Sequence, residues 1–122
     1  MPVVANVLVA LVAVAHLYFF ILESFLWRTP LGLKTFRMDS AKAEMTAVLA
    51  QNQGVYNAFL AAGLVWGIVA GGAEGLHVKT FFLGCVIVAG LVGAATVSKR
   101  ILMVQALPAA LALVATWVVH LS

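Results

Sequence analysis

The sequence predicts an all-α integral membrane protein, a four-helix bundle with both termini outside. Three observations carry this. The 122-residue chain is 65% hydrophobic and only 9% charged, where soluble domains average about 25% charged, and its mean hydropathy is +1.14. The apolar residues fall into four runs, residues 3–27, 45–70, 80–98 and 101–121, each close to or above the ~20 residues a helix needs to cross a bilayer core. The basic residues gather on one side of the resulting topology. A backbone in lipid must satisfy its own polar groups, which leaves helices or a closed barrel, and these runs lack the alternation of barrel strands.

The first run carries no basic side chain in residues 1–22 and stays apolar to Trp27. A signal peptide has a basic start and a shorter apolar stretch, so this run is read as a retained span. Thr29-Pro30 is expected to end it, because the residue before proline is pushed out of the helical region. Residues 28–44 form the one sizeable polar connection. Asp39 or Ser40 can cap the second helix, which is expected to begin before the membrane, at Ala41–Glu44. The run Gly71, Gly72, Ala73, Glu74, Gly75 is expected to be a flexible turn. Lys99 and Arg100 mark a tight hairpin between the third and fourth spans. Pro108 removes a helical bond to the carbonyl of Val104 and predicts a kink beside Gln105. Gly63, Gly67 and Gly71 form a ridge of small residues that permits close helix approach. Trp27, Trp66 and Trp117 lie near span ends, as interfacial anchors do. With no internal repeat and no linker, residues 1–122 read as one transmembrane domain.

Orientation follows from charge. Arg28, Lys34, Arg37, Lys42, Lys99 and Arg100 share one side of the membrane, and Lys79 stands alone on the other. Six against one predicts a cytoplasmic large loop under the positive-inside rule. It places the protein in the cell inner membrane and argues against dual topology. The net charge of +3 matters only through this distribution. No basic run is interleaved with aromatics, so nucleic acid is not an expected partner. Cys85 is the single cysteine; it can form no intrachain disulfide and reads as a small apolar filler. There is no metal-ligand spacing, nucleotide loop or nucleophile elbow, so no metal is expected, and cofactor and chemistry stay unassigned.

The polar residues inside the spans point to function. Glu23 is the first charged side chain of the chain and lies in an apolar run, where an ionisable group costs ~2.5–3.5 kcal/mol on insertion scales and normally faces a partner, a cavity or a substrate. Gln51, Asn52, Gln53, Tyr56 and Asn57 occupy the early turns of the second helix. Thr96 and Ser98 end the third, ahead of Lys99 and Arg100, and Gln105 lies one turn into the fourth. By residue count all of these sit in the cytoplasmic half. Their convergence predicts a polar ligand pocket lined by Glu23, Asn52, Tyr56, Asn57 and Gln105, with Lys99 and Arg100 at its mouth. The competing explanation is structural: membrane helices use amides and hydroxyls to bond across interfaces, and Glu23 can pair with Arg100, Lys99 or Arg28. His16, seven residues before Glu23 and on the same face, reads as a neutral interface residue.

The string Leu49-Ala50-Gln51-Asn52-Gln53-Gly54-Val55-Tyr56-Asn57-Ala58-Phe59, with Glu23-x-Phe25-Leu26-Trp27 and Gln105-x-x-Pro108-Ala109, resembles a bacterial family of small four-span inner-membrane proteins known as a domain of unknown function. That resemblance covers nearly the whole chain; it implies four helices and brings no activity. A more distant similarity is to the membrane-associated eicosanoid and glutathione metabolism family, whose second helix opens Ala-x-x-Asn-x-x-Glu-x-x-x-x-Phe. Asn52 fits the asparagine, while Leu49, Val55 and Leu60 stand at the other three positions. This similarity implies a trimer with ligand sites between subunits. Arg37, Lys99 and Arg100 would then hold an anionic, glutathione-like group, and Asn52 and Tyr56 would line the site.

Three functions compete. The favoured one is a site that binds or processes a small amphipathic or anionic molecule, including lipid, at the inner leaflet, in a homo-oligomer (a dimer or a trimer). The second is a proton-coupled small-molecule transporter in which Glu23 alternates between proton and cationic substrate. Small multidrug exporters also have four short helices and a helix-one glutamate, but the charge bias counts against this. The third is a structural or accessory subunit whose polar cluster is an interface with a larger membrane protein.

Overall fold

The structure is a computed structural model and describes residues 2–122. It is all-α, with no strand among the described residues. The helices are α1 (Pro2–Ser24), α2 (Pro30–Thr35), α3 (Ser40–Ala70), α4 (Gly72–Thr96) and α5 (Leu107–Leu121), the last entered through a π-helical stretch, Leu102–Ala106. Four helical segments are long and apolar enough to cross a membrane: Pro2–Ser24, Ser40–Ala70, Gly72–Thr96 and Leu102–Leu121. The all-α, four-span expectation therefore holds, with three revisions at element boundaries.

The first revision concerns Pro30. α1 stops at Ser24, where the N–H groups of Phe25 and Leu26 both turn back onto the carbonyl of Ile21, at 3.0 and 3.2 Å. The Thr29-Pro30 pair does not end this helix; it starts the next one. Proline has no N–H to lose at a first helical position, and Thr29 caps α2 by accepting from the Gly32 N–H at 3.3 Å. The same hydroxyl donates to the Leu26 carbonyl at 2.6 Å, which ties α2 to the end of α1.

The second concerns the 71–75 turn. The reversal is confined to Gly71 and Gly72, with φ of +62° and +60°, a region glycine enters without penalty. The Gly75 N–H already bonds the Gly71 carbonyl at 2.8 Å, and Glu74 lies in the first turn of α4, where a negative charge suits the helix dipole. Lys79 consequently lies within α4.

The third concerns Pro108. Ahead of it the helix widens, and the Leu107 N–H bonds the carbonyl of Leu102, five residues back. A proline removes one donor and crowds the preceding turn; a π turn absorbs the mismatch by changing register. The predicted disruption beside Gln105 takes this form, with Gln105 inside the π stretch.

At the start of α3 the capping expectation holds: Asp39 accepts from the Lys42 N–H at 2.8 Å. α3 has 31 residues, about 46 Å at ~1.5 Å per residue. That exceeds the ~30 Å hydrocarbon core, so its length matches a helix that begins outside the membrane.

The contacts group into two compact units. One comprises the chain up to Val14 with Leu60–Ser122, the other Ala15–Phe59; α1 and α3 contribute to both. In the first, all four spans pack around Val9, Val12 and Ala13 of α1, Ala61 and Leu64 of α3, Leu83 and Val86 of α4, and Ala109 and Ala112 of α5. Small residues set the spacing, as they must where lipid supplies no hydrophobic drive between helices. A Cβ on Gly90 would lie 2.7 Å from the backbone nitrogen of Ala106 and 2.8 Å from its Cβ. Of the predicted glycine ridge, Gly63 and Gly67 do lie in close contact, against the Phe82 ring and the Lys79 stem; Gly71 serves the turn instead. Polar links also cross this unit: Lys79 Nζ donates to Asn6 Oδ1 at 3.0 Å, and Trp117 Nε1 to Thr80 Oγ1 at 2.9 Å. The outward residues Val3, Leu11, Val88, Val114 and Val118 are exposed, as lipid requires.

Candidate functional site

The Ala15–Phe59 unit is built from the second half of α1, α2 with its flanking turns, and the first half of α3. On α3 the residues Ala43, Ala50 and Gly54 are buried, spaced by seven and four, so they form one stripe that extends three residues on to Asn57. Gly54 is the point of closest approach: a Cβ there would lie 2.3 Å from Ser24 Oγ and 3.1 Å from both the Phe20 carbonyl oxygen and the Ser24 nitrogen. Ser24 Oγ donates to the Gln51 carbonyl at 3.1 Å. This approach brings Asn57 against the last turn of α1, and the Asn57 side-chain amide donates to Glu23 Oε1.

Glu23 is half-buried. Its partner is a neutral amide, and no basic side chain among the described residues pairs with it. Arg28, one of the candidate counter-ions, is bound elsewhere: its guanidinium donates to Glu44 Oε1 at 2.7 Å. That ion pair is 62% and 68% exposed, and such pairs contribute little, ~0–1 kcal/mol.

An open cleft of about 240 Å³ lies beside Glu23. It is lined by Ser24, Phe25, Trp27, Arg28 and Thr29 from the turn after α1 and by Glu44, Ala47, Val48 and Gln51 from α3. Trp27 fixes one wall. Its ring packs on Phe36 with centroids 4.6 Å apart, and its Nε1 donates to Thr46 Oγ1 at 3.1 Å. His16 is buried, with its ring edge-on to Phe19 at 5.4 Å.

The predicted site residues separate into three groups. Glu23 and Asn57 meet. Asn52 and Tyr56 lie in the same unit but are exposed, Tyr56 by 56% with its ring edge-on to Phe59, and neither lines the cleft. Lys99, Arg100 and Gln105 belong to the other unit. There Lys99 and Arg100 are exposed in the α4–α5 connection, where Ser98 Oγ accepts from the Arg100 N–H at 3.2 Å, and Gln105 is half-buried in the π stretch. Sequence reasoning did not assign Ser24, Trp27, Glu44 or Gly54 to the site. A glycine flanked by Gln51 and Asn57 at three-residue intervals was the available signal.

Fold and cleft together define a small all-α protein with four helices long and apolar enough to cross a membrane, and with a carboxylate–amide pair beside an open cleft. The chain belongs to the DUF1304 family, described as a protein of unknown function, whose model matches residues 10–117. An uncharacterized protein, YpaA, of Lactococcus lactis subsp. lactis (strain IL1403) is 30% identical over 119 residues, covering 96% of this chain and 99% of the relative. No solved structure matches the chain. The unassigned-function family anticipated from the Asn52–Asn57 string is thereby established, whereas neither the family match nor the relative shows the eicosanoid and glutathione similarity.

Proposed function

We propose that this protein binds a small amphipathic molecule at the basic, cytoplasmic face of the inner membrane, with the polar head of that molecule in the cleft beside Glu23. The observation that carries this is a half-buried carboxylate whose partner is an amide and which borders an open cleft. A structural salt bridge would have neutralised the charge; a ligand site keeps an oxygen for the ligand. The cleft is smaller than the ~300–1,000 Å³ typical of drug-sized ligands, so it takes a head group and leaves the apolar remainder to lipid.

The same pair supports a second reading, proton-coupled transport, because a carboxylate with no fixed counter-ion can exchange a proton for a substrate. Exposed Asn52, Gln53 and Tyr56 on α3 support association of copies as a homo-oligomer, since polar groups at a membrane surface are covered by protein more readily than by lipid.

Trp27 provides the test. In a protein with Trp66 and Trp117 replaced by Phe, the fluorescence of Trp27 reports on the cleft. Short amphiphiles (butyl chains bearing different heads) should change it saturably. The response should vanish in Glu23→Gln and Asn57→Leu proteins that unfold at the parental temperature. Equal responses in parent and variants would exclude this cleft as the site.

A further inference from the structure

Resting on the binding site just proposed, we infer that the head group it takes is an organic cation, an ammonium carried on a short apolar chain, and that Glu23 and Trp27 select it. Four features converge. First, acids outnumber bases around the cleft: Arg28, the one basic side chain of its lining, pairs with Glu44 at 2.7 Å, and Glu23 has an amide and not a basic group as its partner. Second, Glu23 lies in the last turn of α1, which has no basic residue. A helix C-terminus carries about −0.5 elementary charge and favours a cation within its last turn; here an acid adds to that charge. Third, backbone N–H groups, those of Phe25 and Leu26, close this end on the Ile21 carbonyl, and no side-chain cation among the described residues bonds Glu23. Fourth, the cleft wall carries Phe25 and Trp27. Aromatic faces beside a carboxylate attract alkylammonium groups, by about 0.5–2 kcal/mol for the ring interaction.

An anionic head fares worse at the same place. It would meet a carboxylate and a helix C-terminus, with one guanidinium already engaged by Glu44. A neutral head would gain hydrogen bonds with Glu23 but would not use the helix C-terminus or the aromatic wall. Asn57 fits this division of labour. By donating to Oε1 it fixes the carboxylate's orientation without neutralising it, so the second oxygen can meet a cation.

The experiment uses the full chain in nanodiscs with Trp27 as the sole tryptophan, titrated with butyltrimethylammonium, butyl sulfate and butyl glucoside at constant ionic strength. The expected result is saturable binding of the ammonium at least tenfold tighter than of the other two, weakened at least tenfold by Glu23→Gln. The comparison of heads on the unmutated cleft stands whatever the variant's stability. Saturable binding led by the sulfate or the glucoside, and lost on altering the cleft, would overturn the cation assignment and leave the proposed site intact. No saturable response to any of the three would overturn both.

Discussion

Replacing Gly54 by alanine should loosen the contact that holds Glu23 and Asn57 together. The added Cβ would stand 2.3 Å from Ser24 Oγ. Ser24 can rotate away, but only by breaking its 3.1 Å hydrogen bond to the Gln51 carbonyl, a loss of about 0.6–1.5 kcal/mol. The Phe20 carbonyl and the Ser24 nitrogen, at 3.1 Å, are backbone and yield only if α1 moves. Overpacking of this kind costs about 1–3 kcal/mol. The total comes to about 2–4 kcal/mol, or a factor of roughly 30–1,000 in the folded-to-unfolded ratio. Reversible unfolding in mixed micelles, followed by circular dichroism, measures it. A cycle with Ser24→Ala apportions it: that variant alone should cost under about 1.5 kcal/mol, and in the Gly54→Ala background it should cost almost nothing further, because the same hydrogen bond is already lost there and the backbone clash remains. A Gly54→Ala protein within 0.5 kcal/mol of the parent, or a double variant no more stable than the sum of the singles, would refute the close approach at this position.

Other expectations differ in kind. Gly90→Ala meets only backbone and Cβ atoms of Ala106, at 2.7–3.0 Å, and should cost as much as Gly54→Ala or more, with no side-chain rescue, in the same unfolding assay. Arg28→Ala removes an exposed ion pair and should change stability by less than about 1 kcal/mol; a loss above 2 kcal/mol would show that this pair holds the cleft together. Single cysteines placed at Asp39 and Ala73 in a Cys85→Ala protein should label from opposite sides of the membrane, with Asp39 reached from the cytoplasm; labelling of both from one side would contradict the topology.

The spans were readable because hydropathy and length alone decide whether a helix crosses lipid. Their ends were less so, because local signals there have two meanings. Thr29-Pro30 is both a poor helix interior and a good helix start, and only the bonds from Thr29 to Leu26 and Gly32 show which applies. Gly71–Gly75 looked like a five-residue turn, but two glycines at positive φ complete the reversal and leave the rest to α4. At the site, Glu23 was conspicuous as an acid in an apolar run. Its partner was not, because Asn57 lies 34 residues away among four other polar side chains. The stripe Ala43, Ala50, Gly54 selects Asn57 over Asn52, and it emerges only once the packed face of α3 is known. The Arg28–Glu44 pair was hidden for a similar reason: charge counting by loop sets orientation but pairs nobody.

Native mass spectrometry of the gently solubilised protein tests the central claim most directly, run on the parent and on a Glu23→Gln variant of matched thermal stability. A small molecule retained by the parent and missing from the variant is the predicted result. The same small molecule on both proteins, or none on either, would contradict a ligand site at Glu23.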